Sequence, residues 1–119
     1  KRKMEKEALL GSLAKVTAPS GCESAAAAWI RDNLEKFCDE IDTDKAGNLI
    51  ARISPKSGSP DGKLMLAAHM DECGFMIKNL DNDGRARLAL LGNLDTRTLS
   101  GRRVSTVSGV HGIIGTSFI

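Results

Sequence analysis

Two helical patterns precede any strand pattern in this chain. Apolar residues recur at helical spacing over residues 4–16, which predicts a first helix. The sequence Thr-Ala-Pro-Ser-Gly at 17–21 breaks this pattern, and a second helical pattern follows over about 22–37. Ser20 and Glu23 predict a capping box for the second helix, because the hydroxyl and the carboxylate each satisfy a free backbone N–H.

From about residue 40 the apolar spacing becomes that of strands. A short strand beginning at Ile41 and a partner at 49–53 flank the turn sequence Lys-Ala-Gly-Asn at 45–48, so a hairpin is predicted. Residues 54–62 contain two prolines, two glycines and three serines, which is typical of a surface loop. The first half of the chain is therefore predicted to be two helices followed by a hairpin and a loop.

Four further strands are predicted in the last third of the chain. Two of them, at 75–80 and 85–91, flank the turn Asp-Asn-Asp-Gly at 81–84, whose glycine supplies positive φ. Two shorter strands are predicted at 103–107 and 112–119. The 81–84 turn also resembles part of a calcium loop, but the other EF-hand ligand positions, including the distal glutamate, are missing, so a turn is favoured.

The central segment, residues 63–74, reads Lys-Leu-Met-Leu-Ala-Ala-His-Met-Asp-Glu-Cys-Gly. Its apolar run at 64–68 has no polar alternation, which predicts a strand buried on both faces in an α/β sheet. The residues that we expect to be largely buried are Leu64, Leu66, Trp29 and Leu34. Ionisable residues follow this run directly, and in α/β sheets ligands gather at the carboxyl ends of strands.

Three ionisable side chains end the apolar run, namely His69, Asp71 and Glu72. On a strand His69 and Asp71 share a face, so the carboxylate can accept one imidazole N–H while the other ring nitrogen binds a metal. Glu72 points elsewhere, and its role is open. The simpler interpretation is that a strand ends and polar residues begin. A metal site is favoured by the apolar run that precedes His69 and by the small residues Ala67 and Ala68, which leave room beside the histidine.

Other residues invite chemical roles that the sequence does not favour. Ser20 is not part of a nucleophile elbow and has no histidine nearby in sequence, so capping is predicted instead. Cys73 lies four residues after His69, which is a zinc-like spacing only on a helix, so we expect a small buried residue. His111 is the only other histidine in the chain.

Composition excludes several classes of function. The 119 residues are 41% hydrophobic and 27% charged with a net charge of +2, which is ordinary for a soluble domain. Aromatic residues make up only 3%, too few for base stacking on nucleic acid. No apolar run approaches the ~20 residues of a membrane span. The N-terminus lacks a secretory pattern. The three cysteines share no zinc-type spacing, and a reducing cytoplasm is expected.

The segment Ala67 to Phe75 resembles the AHMDE-x-G-F signature of the M42 metallo-aminopeptidases, which include glutamyl and TET-type aminopeptidases. Further matches follow in the order of that family and cover nearly the whole chain. The first two matching stretches are residues 13–23, which contain Ala-Pro-Ser-Gly, and Asp42 together with Gly47-Asn48-Leu49. The others are residues 99–104 (Leu-Ser-Gly-Arg-Arg-Val) and 112–115 (Gly-Ile-Ile-Gly). This likeness is more specific than His-x-Asp alone, which recurs across related hydrolases.

The resemblance implies a two-metal aminopeptidase that hydrolyses N-terminal residues from peptides and forms homo-oligomers when complete. It assigns His69 as a ligand of one of two divalent metals, zinc or cobalt, and Asp71 as the catalytic carboxylate that orients it. It implies an α/β fold, with residues 1–74 as part of the catalytic sheet domain and 75–119 as part of an inserted PDZ-like β-domain. No nucleic-acid or membrane partner is implied.

The departures from the family pattern set further expectations. The bridging aspartate, the glutamate base and the remaining ligands of the family would lie after Ile119, so we expect the chain alone to be inactive. The histidine at 111 falls where the family has no ligand. Two alternatives stay open: a related metal-dependent deacylase or carboxypeptidase, and a non-catalytic assembly module derived from such an enzyme.

Overall fold

The computed structural model describes residues 6–55 and 62–115, which divide into two compact units. The first unit ends at Glu72 and the second begins at Cys73. Helices and strands both occur, so the predicted mixed helix-and-strand class is confirmed. The predicted domain boundary at 74/75 stays a prediction about domains of the complete protein.

The first unit begins with two helices, α1 (Lys6–Leu13) and α2 (Ser24–Leu34). A single 3₁₀ turn, Glu35–Phe37, continues α2. Both helices lie within the predicted segments, because the apolar spacing and the alanine-rich sequence of α2 favour helix. The segment 17–21 separates them, as its proline and glycine predict.

A hairpin follows the helices, formed by strands β1 (Glu40–Thr43) and β2 (Leu49–Arg52). The two strands pair antiparallel with Ile41 opposite Ala51. The Arg31 guanidinium of α2 donates to the Ile41 carbonyl at 3.0 Å and to the Thr43 hydroxyl at 2.9 Å. These bonds join the second helix to the edge of the hairpin, as charged donors readily do with exposed backbone acceptors.

The second unit contains two more antiparallel hairpins. Strands β3 (Gly74–Leu80) and β4 (Ala86–Leu91) pair with a register shift between Ile77 and Asn79. After a 3₁₀ turn at Thr96–Thr98, the short strands β5 (Arg103–Ser105) and β6 (His111–Ile113) form the last pair. These hairpins confirm the predicted β character of this region. Residues 116–119 of the predicted last strand lie outside the described residues.

The turn between β3 and β4 forms at the predicted position. Gly84 has φ of +81°, which only glycine adopts without strain, and its N–H donates to the Asp81 carbonyl at 3.0 Å. The Asp81 N–H in turn donates to the Arg85 carbonyl at 2.8 Å. All four residues 81–84 are therefore used in a hairpin turn, in agreement with the sequence.

The predicted buried strand at 64–68 is wrong for the described chain. These residues form no strand, and Leu64 and Leu66 are 88% and 87% exposed. A strand needs a hydrogen-bonded neighbour and burial needs a covering layer, but the described residues form only two-stranded sheets that do not include this run. Its apolar sequence favours burial, but no described segment packs over it.

The other burial predictions have mixed outcomes. Leu34 is 40% exposed, so its predicted burial is also wrong, while Trp29 is half-buried. Among the described residues, the buried apolar side chains are Ala18 and Ala26. The tightest packing therefore lies where α2 and the segment before it meet, directly beside the chemistry-bearing residues of the first unit.

Candidate functional site

The Ala18–Ser20 segment, which we call the 18–20 segment, lies against the end of the central segment. The Glu72 N–H donates to the Ala18 carbonyl at 2.9 Å, and Pro19 forms an isolated parallel bridge with Glu72. The Ala18 N–H donates back to the Glu72 carboxylate at 2.9 Å. Backbone and side chain of one glutamate thus fix the segment that precedes α2, and this answers the question of what Glu72 contacts.

His69 and Asp71 are paired as the sequence predicts. The imidazole Nδ1 lies 2.9 Å from Asp71 Oδ1 and 3.0 Å from the Asp71 carbonyl oxygen. Both of these atoms are acceptors, so Nδ1 carries the proton in the neutral ring. Nε2 then bears the lone pair, and no described residue bonds to it. The His69 side chain is 84% exposed, so Nε2 is open to an incoming ligand or metal.

Ser20 contacts Asp71, which the sequence did not predict. Its hydroxyl donates to Asp71 Oδ2, the carboxylate oxygen that His69 does not use. The predicted capping box is wrong, because α2 has no side-chain cap and Glu23 accepts from the Gly21 N–H at 2.6 Å instead. A sequence pattern cannot reveal this contact, since the two residues lie 51 positions apart.

The carboxylate of Asp71 is favoured in its ionised form. The hydrogen bond from the Ser20 hydroxyl lowers the Asp71 pKa most, and the bond from His69 lowers it further. Both contacts stabilise negative charge, which makes the carboxylate a permanent acceptor for the imidazole N–H near neutral pH. The arrangement therefore keeps the imidazole in the tautomer that presents Nε2.

Apolar side chains lie near the cluster formed by Ser20, His69 and Asp71. A cleft of about 240 Å³ is lined by His69 and Asp71 together with Leu13, Val16 and Ile30 of the helical region. Residues of the helical region and of the central segment therefore both line the cleft at the candidate site.

Two other sequence candidates take no part in this cluster. Cys73 is exposed, so the prediction of a small buried residue is wrong. It lies against Gly92 of its own unit, where a Cβ would come within 2.7 Å of the Cys73 sulfur. His111 is the first residue of β6, also in the second unit.

The donor atoms fit one position of a metal site rather than a whole site. Within residues 6–55 and 62–115, no group of three or more histidine, cysteine or acidic side chains is placed to hold an ion. A stable divalent site needs three or four protein ligands, and here His69 supplies one. No helix in this part of the chain is long and apolar enough to cross a bilayer.

Comparison with known proteins identifies the class to which this arrangement belongs. Residues 47–118 match the family model described as M42 glutamyl aminopeptidase. The chain belongs to this family, which confirms the resemblance seen in the sequence. The match includes the central segment with His69, Asp71 and Glu72, and it extends over most of the second unit.

Three similar proteins extend this finding. A lysyl aminopeptidase of Pyrococcus furiosus is 37% identical over 87 residues, which are 71% of this chain and 24% of that protein. A Thermotoga maritima crystal structure named an endoglucanase gives a TM-score of 0.82 at 33% identity, covering 91% of this chain and 34% of its own. PhTET1-12s, a dodecamer in its asymmetric unit, gives 0.79 at 29% identity, covering 96% and 34%. The chain spans a quarter to a third of the length of the curated relatives that it matches first.

Proposed function

We propose that the complete protein is a metal-dependent aminopeptidase in which His69 is a ligand of one of two divalent metal ions. The observation that carries this proposal is the imidazole whose Nδ1–H is held by Asp71, while Nε2 has no partner among the described residues. Metal-binding histidines in proteins are held in this way, with the second ring nitrogen donating to a carboxylate. Membership of the M42 family and the lysyl aminopeptidase relative support the reaction class.

Each residue of the cluster has a distinct role in this proposal. His69 binds the metal through Nε2, and Asp71 orients the ring and increases its basicity. Zinc or cobalt ions at such a site supply polarisation of the scissile carbonyl and activation of water. An imidazole also accepts other divalent metals, so the ion follows from the complete ligand set and from metal availability.

The 119-residue chain itself is proposed to be inactive. Its described residues supply one imidazole ligand, and the neighbouring carboxylate of Glu72 is engaged by the Ala18 N–H. Peptide hydrolysis requires a base within hydrogen-bond reach of the attacking water as well as a stable metal site. Neither requirement is met by the residues that surround His69 in the described part of the chain.

The region 75–119 is proposed to belong to a PDZ-like β-domain that takes part in homo-oligomer assembly. The β3–β4 and β5–β6 hairpins support a β-rich unit, and a similar structure is a dodecamer. The cytoplasm is the proposed location, on the cysteine pattern given above. Light scattering and cell fractionation of the complete protein test these two proposals.

The geometry of the described residues gives no support to a carbohydrate-cleaving function, although one structural relative is named an endoglucanase. Most glycosidases need two carboxyl groups that flank the scissile bond, one as acid and one as base or nucleophile. Here the Asp71 carboxylate bonds Ser20 and His69, and the Glu72 carboxylate bonds the Ala18 N–H. Both carboxylates of the central segment are thus engaged within the protein.

The deciding experiment compares the protein encoded by the full reading frame with its His69→Ala variant. We expect the variant to lose one metal per subunit by elemental analysis and nearly all turnover of aminoacyl-p-nitroanilides. The substitution Lys63→Ala, at the exposed first position of the central segment, is the control and should keep both the metal and the turnover. The isolated 119-residue chain is assayed in parallel and should retain no metal after dialysis.

The substrates in that experiment separate the remaining alternatives. Lysyl and glutamyl p-nitroanilides test the aminopeptidase, N-acyl amino acids test a deacylase or carboxypeptidase, and soluble β-glucan tests the endoglucanase. Turnover of N-acyl amino acids or β-glucan without aminopeptidase activity would refute the proposed reaction. Full metal content in His69→Ala would refute the ligand assignment, and turnover by the isolated chain would refute its proposed inactivity.

A further inference from the structure

Glu72 forms two hydrogen bonds with the 18–20 segment. Its main-chain N–H donates to the Ala18 carbonyl, and its carboxylate accepts from the Ala18 N–H, both at 2.9 Å. Ala18 is one of the few buried side chains of the described chain. A segment held by two hydrogen bonds and a buried side chain has little freedom to move relative to the central segment.

The hydrogen bonds between Glu72 and Ala18 place Ser20 beside Asp71. Ser20 lies two residues beyond Ala18, and its hydroxyl donates to Asp71 Oδ2 while Asp71 Oδ1 receives the His69 Nδ1–H. The two oxygens of one carboxylate are thus assigned to different partners. A hydrogen-bonded series results, which runs from Ser20 through Asp71 to His69 and ends at the free Nε2.

We propose that Ser20 is a positioning residue of the metal site, and that Glu72 serves the site by holding the 18–20 segment that carries Ser20. The inference rests on the proposed function, since it assumes that His69 binds metal. It assigns roles to two residues whose described contacts are with Asp71 and with Ala18. Ser20 acts on the metal only through Asp71 and His69.

The physical reason is the torsional freedom of an aspartate. The carboxylate torsion of aspartate is broad and roughly two-fold, so one hydrogen bond from His69 alone does not fix its plane. Asp71 is 38% exposed, and water competes for its oxygens. The second bond, from Ser20, holds the carboxylate plane where Oδ1 meets the imidazole. Without it we expect a population in which His69 takes the other tautomer and Nε2 carries the proton.

The first test measures metal affinity in the full-length protein by competition with a chelator. We expect Ser20→Ala to weaken zinc affinity about tenfold, at the lower end of the 10–100-fold range for outer partners of metal ligands. Ser20→Thr keeps the hydroxyl, so its zinc affinity should lie within about threefold of wild type. Ser24→Ala, which removes an exposed hydroxyl at the start of α2, is the matched control.

A second readout separates positioning from a merely structural effect. In the metal-free protein, ¹⁵N NMR of the His69 ring reports which nitrogen carries the proton. We expect mainly the Nδ1–H form in wild type and in Ser24→Ala, and a mixture of both tautomers in Ser20→Ala. A loss of packing alone would lower the melting temperature without changing this tautomer ratio.

The Glu72 variants test how the segment is held. Gln keeps an oxygen that accepts from the Ala18 N–H, so Glu72→Gln should retain zinc affinity and turnover. Glu72→Ala loses that acceptor and should weaken zinc affinity as Ser20→Ala does. Loss of turnover in Glu72→Gln with normal zinc affinity would instead identify Glu72 as a catalytic acid or base, and would overturn the role that we assign.

The outcomes keep this inference distinct from the proposed function. Loss of metal in His69→Ala, combined with equal zinc affinity in Ser20→Ala and Ser24→Ala, would overturn the role of Ser20 and leave the proposed function intact. Full metal content in His69→Ala would overturn both. If Ser20→Ala did not fold, the tautomer ratio and zinc affinity of Ser20→Thr and Glu72→Ala would decide the question.

Discussion

Asp71 holds its neighbours through both carboxylate oxygens, and this division of contacts defines the candidate site. One oxygen receives the Ser20 hydroxyl and the other receives the His69 ring N–H. Both bonds lower the Asp71 pKa below its ordinary value, so the carboxylate is charged near neutral pH. The charge matters because a neutral acid would hold the imidazole N–H less firmly.

Asp71→Asn tests this division in the full-length protein. An amide in place of the carboxylate still fills the space, so we expect an unchanged fold by circular dichroism. It offers a weaker acceptor to the imidazole, so metal affinity should fall by roughly 10–100-fold. Asp32→Asn, an equal change of charge at an exposed position on α2, is the control. Equal metal affinity in the two variants would contradict the orienting role of Asp71.

At the scale of elements, the hairpins owe their turns to particular side chains and backbone conformations. In the β1–β2 turn, the Asp44 carboxylate accepts from the Ala46 and Asn48 N–H groups and from the Asn48 side chain, at 2.8–2.9 Å. In the β3–β4 turn, Gly84 supplies the left-handed backbone. Such local devices explain why these hairpins could be recognised from short sequence patterns.

The Asp44 turn predicts a pH dependence of the first hairpin. The side chain of Asn48 lowers the Asp44 pKa most, and the Asn48 N–H lowers it further. A depressed folded pKa stabilises the hairpin above the unfolded value, about 3.9, and this stabilisation is lost as pH falls through the lower folded value. We expect the ¹³C NMR titration midpoint of Asp44 to lie below 3.9.

Asn48→Ala provides the variant for this measurement. It removes the contact that lowers the Asp44 pKa most, so the midpoint should move back toward the ordinary aspartate value. Asn82→Ala, in the turn of the other unit, should leave the Asp44 midpoint unchanged. An Asp44 midpoint at or above the ordinary value in wild type would contradict the role of this turn.

The Gly84 turn predicts a local cost for any side chain. Space around a Cβ at Gly84 is open, so Gly84→Ala suffers only from its φ of +81°. We expect about 1 kcal/mol of local destabilisation, seen as roughly fivefold faster exchange of the Asp81 amide. Gly11→Ala, in α1 where φ is not positive, should leave that exchange unchanged. Equal exchange in both variants would show that the turn tolerates a side chain.

At the scale of the whole molecule, the apolar run at 64–68 is the main exposed feature of the described chain. Leu64 and Leu66 are almost fully exposed, and Met65 between them is exposed as well. A contiguous exposed apolar surface promotes self-association. The isolated chain should therefore associate through this run.

The combined substitution Leu64→Ser and Leu66→Ser tests that expectation on the isolated 119-residue chain. We expect it to shift the chain toward monomer in light scattering and to reduce binding of a hydrophobic dye, because two large exposed apolar side chains are removed. Val107→Ser removes one exposed apolar side chain from a turn of the second unit and should change neither measurement much. Equal association of the two variants would exclude the run as the contact surface.

Local sequence by itself determined the two helices, the first two hairpins, the existence of two further short strands and the contact of His69 with Asp71. These depend on contacts between residues close in the chain, where helical spacing, turn residues and short-range side-chain contacts operate directly. The family, too, could be recognised from motifs in the right order. For such features the sequence contains most of the physical information that the fold uses.

Only the tertiary structure decided the role of Ser20, the contacts of Glu72 and the exposure of the run at 64–68. Ser20 was predicted to cap a helix, but a carboxylate 51 residues away offers its hydroxyl a charged acceptor. Likewise, an apolar run states a preference for burial, while burial itself depends on which segments lie nearby. Such outcomes rest on long-range neighbours, which a local pattern does not contain.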